Sequence, residues 1–175
     1  MTDIEFGNLM VDMSHGNRDA LRKIYEEYVK LIYSVVYDTI RNKQEAEDIT
    51  SEFFIKLYNI SGKYNAGNGH KKWLVTIAKN MTIDRIRKLD REMLVDEFPE
   101  KAAPQSSLED SVSLNETVKA AMAYLKQEEK EVLDLKIVGE FTFKEISEML
   151  EKPQGTVSWL YNNALKKLRR CQEWN

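Results

Sequence analysis

The sequence is poor in the residues that build turns, disulfides and metal sites. Its 175 residues include only three prolines, seven glycines, two histidines and one cysteine. So little glycine and proline disfavours a turn-rich all-β fold and favours helices. The single thiol, Cys171, cannot form an internal disulfide, and no CxxC pair is present, which fits a reducing compartment.

Motifs for catalysis and for membrane insertion are also missing. There is no glycine-rich phosphate loop and no GxSxG element, and Cys171 stands in a basic tail without a nearby histidine. Residues 1–5 lack the basic-then-apolar pattern of a signal peptide, and no apolar run is long enough to span a bilayer. We therefore expect a cytoplasmic protein that is not an enzyme, binds no metal or other cofactor, and does not insert into a membrane.

The charges that are present are unevenly distributed. The net charge of −3 argues weakly against a free-standing nucleic-acid-binding protein. However, residues 71–91 hold seven basic side chains against two acidic ones, and residues 156–175 hold four against one. Between them, residues 92–113 hold six acids against one lysine. Two basic segments therefore flank an acidic connector.

The first half of the chain has the apolar spacing of helices. A helix is predicted to begin near Asn17 and to carry apolar residues at helical intervals as far as Val36. A second begins at Asn42, with Glu45 three residues later as a capping partner. A third, basic helix is predicted over residues 71–91.

The second half predicts a linker followed by short helices. Residues 92–113 show no sustained hydrophobic period and contain prolines, serines and acids, as linkers do. The last two predicted helices, 143–150 and 154–170, follow each other closely in the pattern of a helix-turn-helix. The predicted fold is all-α, with two small helical domains, 1–91 and 114–175, joined by a flexible acidic linker.

The predicted basic helix is a candidate surface for DNA. Lysines neutralise phosphates, and we expect Lys72, Lys79 and Lys88 to cluster there. Trp73 and Tyr64 could stack on the unpaired bases of melted DNA. The alternative is a solvated helix face with Trp73 in the core. The candidates in this segment are Lys71, Lys72, Trp73, Lys79, Asn80, Arg85, Arg87 and Lys88.

A cluster of acids lies in the second predicted helix. Asp48 and Glu52 are four residues apart and share a helix face. Paired carboxylates could form a metal or acid–base site, but no histidine is near and the Glu-x-x-His pattern is absent. The pattern favours an acidic surface for docking another protein, and a merely solubilising surface is the alternative.

The first half resembles the core-binding and promoter-melting domain of the extracytoplasmic-function group of sigma-70-type factors. Residues 45–49 (EAEDI) and 52–54 (EFF) resemble the motif that grips the coiled coil of the largest polymerase subunit. Residues 73–80 (WLVTIAKN) and 83–88 (IDRIRK) resemble the helix that faces the −10 promoter element. The resemblance implies a polymerase-binding site formed by Asp48, Ser51, Glu52 and Phe53.

The second half resembles the domain of that group that binds the −35 element. The resemblance rests on residues 131–133 (EVL), 143–147 (FKEIS) and 153–157 (PQGTV). Many relatives continue with Lys-Ser-Arg where this chain has residues 158–160 (SWL), so most arginine contacts to phosphate and guanine are missing.

Uncharged side chains could replace those arginine contacts. Gln154, Asn162 and Asn163 could bind adenine, and Trp159 or Leu160 could pack on a thymine methyl group. Trp159 could equally belong to the core. The candidates in this segment are Gln154, Thr156, Ser158, Trp159, Asn162, Asn163, Lys166 and Lys167.

The resemblance implies a sigma factor that directs bacterial RNA polymerase core to specific promoters. Its partners would be core polymerase, promoter DNA and an anti-sigma factor. The alternative is a sigma-like module that sequesters an anti-sigma regulator without supporting transcription. A stand-alone repressor is disfavoured by the negative net charge and by the lack of a ligand-binding or dimerisation domain.

Overall fold

The structure is a computed structural model of the chain, and it describes residues 1–65, 69–95 and 122–172. The chain divides into two compact units, Met1–Pro104 and Gln105–Asn175. All regular elements in the described ranges are helical, which confirms the predicted all-α fold. The division between the units falls inside the predicted linker, whose residues 96–113 lie outside the described ranges.

In its described residues, 1–65 and 69–95, the first unit contains four α-helices and a short 3-10 turn. Its elements are α1 (Asp3–Ser14), α2 (Arg18–Ile40), α3 (Lys43–Asn59), the 3-10 turn (Ser61–Lys63) and α4 (His70–Val95). The long helix α2 packs against α1, α3 and α4. Asn17 and Asn42 cap α2 and α3 as predicted. The predicted capping box at Asn42 is only half formed, because the Glu45 side chain pairs with Arg85 instead. Helix α4 extends beyond Arg91 into the segment that the sequence assigned to the linker.

Helix α1 is not among the helices predicted from the sequence. A capping box starts this helix: the Glu5 backbone N–H donates to Thr2 Oγ1 at 3.2 Å, and the Thr2 N–H donates to the Glu5 carboxylate at 2.7 Å. Helix α1 buries Phe6, Met10 and Met13 in the unit's core. Fully burying a large apolar side chain contributes about 1.5–3 kcal/mol, so α1 is an integral part of this unit.

The second unit contains the predicted helix-turn-helix. Its described helices are α5 (Gln127–Ile137), α6 (Phe143–Leu150) and α7 (Gln154–Gln172). Glu151 ends α6 in the left-handed conformation, with φ of 53°. Gly139 follows α5 where a Cβ atom would lie 2.5 Å from the Phe141 ring, so a side chain there would clash. The apolar spacing of residues 114–125 also predicts an amphipathic helix, of which only residues 122–125 are described.

Candidate polymerase and DNA surfaces

The acids of α3 lie on its solvent face. Asp48, Ser51 and Glu52 are all exposed, as a docking surface requires. Phe53 is not: it is fully buried and meets Phe54 edge-on, with ring centroids 5.1 Å apart. The expectation that Phe53 contacts the polymerase directly is therefore corrected, since its ring is part of the core that holds α3 in place.

An isoleucine that the sequence analysis missed lies beside these acids. Ile55 is 63% exposed and follows Ser51 and Glu52 by one helical turn, so it shares their face. Ile55 lies two residues from both Phe53 and Leu57, which is about 200° around a helix. Because Phe53 and Leu57 face the core, this spacing could have identified Ile55 as exposed. We define Asp48, Ser51, Glu52 and Ile55 as the α3 face.

An ion pair joins α3 to α4. Arg85 Nε lies 2.6 Å from a Glu45 carboxylate oxygen, and both side chains are partly shielded from solvent. The hydrogen bond and charge of Glu45 raise the pKa of Arg85, with smaller contributions from Glu52 and Asp48. Arg85, a DNA-binding candidate from the sequence, thus connects the two helices, and the structure gives it a protein partner.

The basic residues of α4 are spread across its exposed face and do not form a single cluster. At about 100° per residue, Lys88 lies roughly 160° around the helix from Lys72. The predicted cluster of Lys72, Lys79 and Lys88 is therefore wrong, because Lys88 lies on the opposite edge of the face. Asn80, Arg87 and Lys88 are exposed, whereas Lys71, Lys72 and Lys79 are half-buried.

A small aromatic cavity lies at the start of α4. It has a volume of about 170 Å³ and is lined by Lys63, Tyr64, Asn65, Gly69 and Trp73. The ring centroids of Tyr64 and Trp73 are 5.0 Å apart. Trp73 is half-buried, so one side of it belongs to the core and another lines the cavity. The Tyr64 hydroxyl is shielded from solvent and has no hydrogen-bond partner among the described residues, and burial raises the pKa of Tyr64.

Helix α7 presents an uncharged front. Trp159 is 62% exposed, which excludes the alternative that it belongs to the core. Leu160 is buried, so the suggestion that it packs on a thymine methyl group is corrected. Gln154, Thr156 and Asn162 are exposed as expected, and Ser158 is half-buried.

Two candidates on α7 are engaged inside the protein. Lys167 Nζ lies 2.7 Å from one oxygen of Glu129, and Asn163 Nδ2 donates to the other at 2.5 Å. Glu129 is almost fully buried and also accepts the Lys126 backbone N–H at 2.8 Å. Burial alone raises the pKa of Glu129, but the bonds from Lys167, Lys126 and Asn163 outweigh it and lower the pKa. Asn163 and Lys167 thus connect α7 to α5.

Two further properties concern the described part of the chain. No described helix is both long and apolar enough to cross a membrane. Nor do three or more His, Cys, Asp or Glu residues of that part come together as metal ligands would.

Both units match known protein families. Residues 24–92 match the family described as Sigma-70 region 2, and residues 121–170 match Sigma-70, region 4. Over 168 residues the chain is 33% identical to the ECF RNA polymerase sigma factor SigW of Bacillus subtilis, covering 89% of this chain and 90% of SigW. It is 28% identical to the sigma factor BldN of Streptomyces coelicolor over 89% of this chain, but spans only 61% of BldN.

Solved structures share the fold. The sigma factor RpoE of Bartonella quintana, crystallised with the anti-sigma factor NepR, aligns with a TM-score of 0.60 at 19% identity. The alignment covers 87% of this chain and 96% of RpoE. CnrH, solved in complex with the cytosolic domain of CnrY, also aligns with a TM-score of 0.60, at 17% identity over 98% of this chain and 99% of CnrH.

Proposed function

The chain belongs to the extracytoplasmic-function sigma factors of RNA polymerase, which start transcription at specific promoters, and we propose that its two units divide that task. The first unit binds core polymerase and the −10 element, and the second binds the −35 element. The observation that supports this division is exposure: the α3 face and Trp159 are open to solvent, whereas their neighbours Phe53 and Leu160 are buried.

The α3 face is the proposed site for core polymerase. Asp48 and Glu52 supply negative charge for basic partner residues, and Ser51 supplies a hydroxyl between them. Ile55 adds an exposed apolar group, which a partner surface can bury. Charge complementarity of this kind fixes the orientation of the complex, and apolar burial slows its dissociation.

The exposed face of α4 and the aromatic cavity form the proposed −10 site. Asn80, Arg87 and Lys88 are exposed to solvent, and the two cations, Arg87 and Lys88, can meet phosphates. The half-buried Lys71, Lys72 and Lys79 lie along the same helix and can extend toward the DNA backbone. Trp73 and Tyr64 line a cavity in which an unpaired base can stack, and Lys63 at its edge can meet the adjoining phosphate.

The front of α7 is the proposed −35 site. Gln154 and Asn162 can donate and accept hydrogen bonds at an adenine edge, and Trp159 can cover a thymine methyl group. Thr156, Ser158 and Lys166 complete this surface, with Lys166 supplying phosphate contact from an exposed position. Because residues 154–162 at the front of α7 include no cation, this helix depends on apolar and hydrogen-bond contacts more than on charge.

An anti-sigma factor is a further proposed partner. Of the solved structures that share the fold, RpoE was crystallised with the anti-sigma factor NepR. CnrH was solved with the cytosolic domain of CnrY. A partner that covers the α3 face or Trp159 in this chain would block polymerase or promoter binding. We place the protein in the cytoplasm, where polymerase and DNA are found. No observation favours the sequestering module over a transcribing sigma factor.

The proposed function is tested by run-off transcription. Purified protein added to bacterial core polymerase is expected to produce transcripts from a subset of a promoter pool, and core polymerase alone is expected to produce none of them. The α3-face variants described in the Discussion serve as negative controls. If core polymerase binds the protein tightly and yet no promoter in a saturating pool is transcribed, the sequestering module becomes the better description.

Replacing Trp159 by alanine is expected to weaken duplex promoter binding by about 1–2 kcal/mol, because an apolar base contact is lost. The contacted thymine can be located by replacing each −35 thymine with deoxyuridine, which removes only the methyl group. At that position the wild-type holoenzyme loses about fourfold in affinity, and the variant loses nothing further. Affinity is measured by fluorescence anisotropy of labelled promoter DNA.

The matched control is Ile137→Ala, which trims another exposed apolar side chain of the same unit, on α5. It is expected to leave promoter affinity unchanged. If Trp159→Ala and Ile137→Ala behave alike, or if deoxyuridine affects both proteins equally, Trp159 does not contact a thymine methyl group.

A further inference from the structure

The first residue of α4 is held by two other helices. His70 is only 4% exposed, although it is polar. Its Nδ1 bonds to the Asp3 carboxylate of α1 and its Nε2 to the Tyr28 hydroxyl of α2. The Phe6 ring stacks on the imidazole, with centroids 4.6 Å apart and an angle of 18° between the planes. Both ring nitrogens and one ring face of His70 are therefore engaged.

Asp3 also caps α4 from outside that helix. The backbone N–H of His70 donates to Asp3 Oδ1 at 2.9 Å. The residue before His70 is Gly69, at φ of +74°, and it has no side chain with which to cap the helix. The hydrogen bonds from the His70 backbone and then its side chain lower the pKa of Asp3, so the carboxylate is charged at neutral pH. It compensates the positive end of a helix whose first turn carries Lys71 and Lys72.

This arrangement is continuous with the aromatic cavity. Gly69 and Trp73, on either side of the capped turn, both line the cavity. Phe6, which stacks on His70, lies 5.1 Å from the Tyr64 ring and 6.5 Å from the Trp73 ring, between centroids. The position of both aromatic walls therefore depends on how α1 meets the start of α4.

We propose that Asp3 and His70 are positioning residues for promoter opening: α1 caps the DNA-facing helix and so fixes Tyr64 and Trp73 in the arrangement that accepts an unpaired base. This inference rests on the proposed function, since it assigns the cavity to single-stranded −10 DNA. It extends the promoter-binding machinery to α1, which precedes the residues that match Sigma-70 region 2.

Electrostatics alone predicts the opposite effect of removing Asp3. Deleting a carboxylate close to a DNA site reduces repulsion of phosphates and strengthens binding. A positioning role predicts weaker binding, because the cap and the His70 orientation are lost together. The sign of the effect therefore separates the two explanations.

The experiment measures the affinity of the holoenzyme, formed with core polymerase, for a single-stranded −10 oligonucleotide. Asp3→Ala is expected to weaken this binding about fivefold, the equivalent of about 1 kcal/mol for a lost cap. Asp3→Asn keeps an oxygen that can accept the His70 N–H, and is expected to stay within about twofold of wild type. Binding to core polymerase is expected to be the same in all three proteins.

The matched control is Asp12→Ala, which removes another exposed carboxylate from α1. It is expected to bind the oligonucleotide as well as wild type or slightly better. If Asp3→Ala matches Asp12→Ala, or if Asp3→Asn binds as weakly as Asp3→Ala, the inference is overturned. If the wild-type holoenzyme itself does not bind the oligonucleotide, the proposed −10 site fails instead. Circular dichroism shows whether Asp3→Ala unfolds the protein. If it does, the oligonucleotide affinity of Asp3→Asn alone tests the inference.

Discussion

Reversing both acids of the α3 face, as Asp48→Lys with Glu52→Lys, is expected to weaken binding to core RNA polymerase by about 2–5 kcal/mol, a factor of roughly thirty or more. Both carboxylates are exposed on α3. The reversal therefore places two ammonium groups against partner residues that are proposed to be basic. Transcription from every promoter is expected to fall accordingly. The measurement is a titration of labelled protein with core polymerase.

The control for this prediction changes the net charge equally at a distance from the α3 face. Asp12→Lys with Glu26→Lys alters exposed positions on α1 and α2. Among the described residues, the change removes the surface pair between Glu26 and Arg22, which contributes little. This protein is expected to bind core polymerase as wild type does. Equal losses in the two double variants would indicate a general charge effect and remove the support for the α3 face.

The second large effect concerns the fold of the helix-turn-helix unit. Glu129→Ala is expected to lower its free energy of unfolding by about 2–3 kcal/mol, because the change strands the Asn163 amide and the Lys167 ammonium group beside a buried gap. Lys167 remains partly exposed, which keeps the loss below that of a fully buried pair. Chemical denaturation followed by circular dichroism measures the change.

The neighbouring Glu128 provides the matched control. It is exposed and pairs with Lys152 at 2.8 Å, so Glu128→Ala is expected to cost less than about 1 kcal/mol. The pKa of Glu129 is lowered in the folded protein, so the carboxylate contributes stability above its unfolded pKa. That contribution is lost as the pH falls through the lowered folded pKa. A Glu129→Ala protein with the same stability and the same acid transition as Glu128→Ala would contradict this assignment.

Helix starts and the helix-turn-helix were predictable because their signals are local. Asn17 and Asn42 precede regular apolar spacing, and Thr142 forms a complete capping box with Glu145. Helix α1 had the same kind of capping box, at Thr2, but it was missed. Exposed Ile4 and Val11 add apolar residues outside the buried stripe, which obscures the helical period.

The roles of individual polar residues were less predictable, because their partners are distant in sequence. Arg85 pairs with a residue 40 positions away, and Asn163 and Lys167 meet Glu129 from 34 and 38 positions away. Local charge patterns cannot distinguish such internal contacts from surface groups that await DNA. Phe53 has a different explanation: resemblance to a family motif indicated a partner contact, although its four-residue spacing from Ile49 and Leu57 places it on the buried face of α3.

The different surroundings of two tryptophans give each unit its own optical probe. Trp73 packs against Tyr64 in the first unit, whereas Trp159 is exposed to solvent on α7. Indole emission shifts to the blue and resists collisional quenchers when the ring leaves water. The chain has a third tryptophan, Trp174, which a Trp174→Phe change removes from the signal. In that background, a quencher such as iodide would report chiefly on Trp159. Engagement of the −35 element and capture of an unpaired base could then be timed separately in one unlabelled protein.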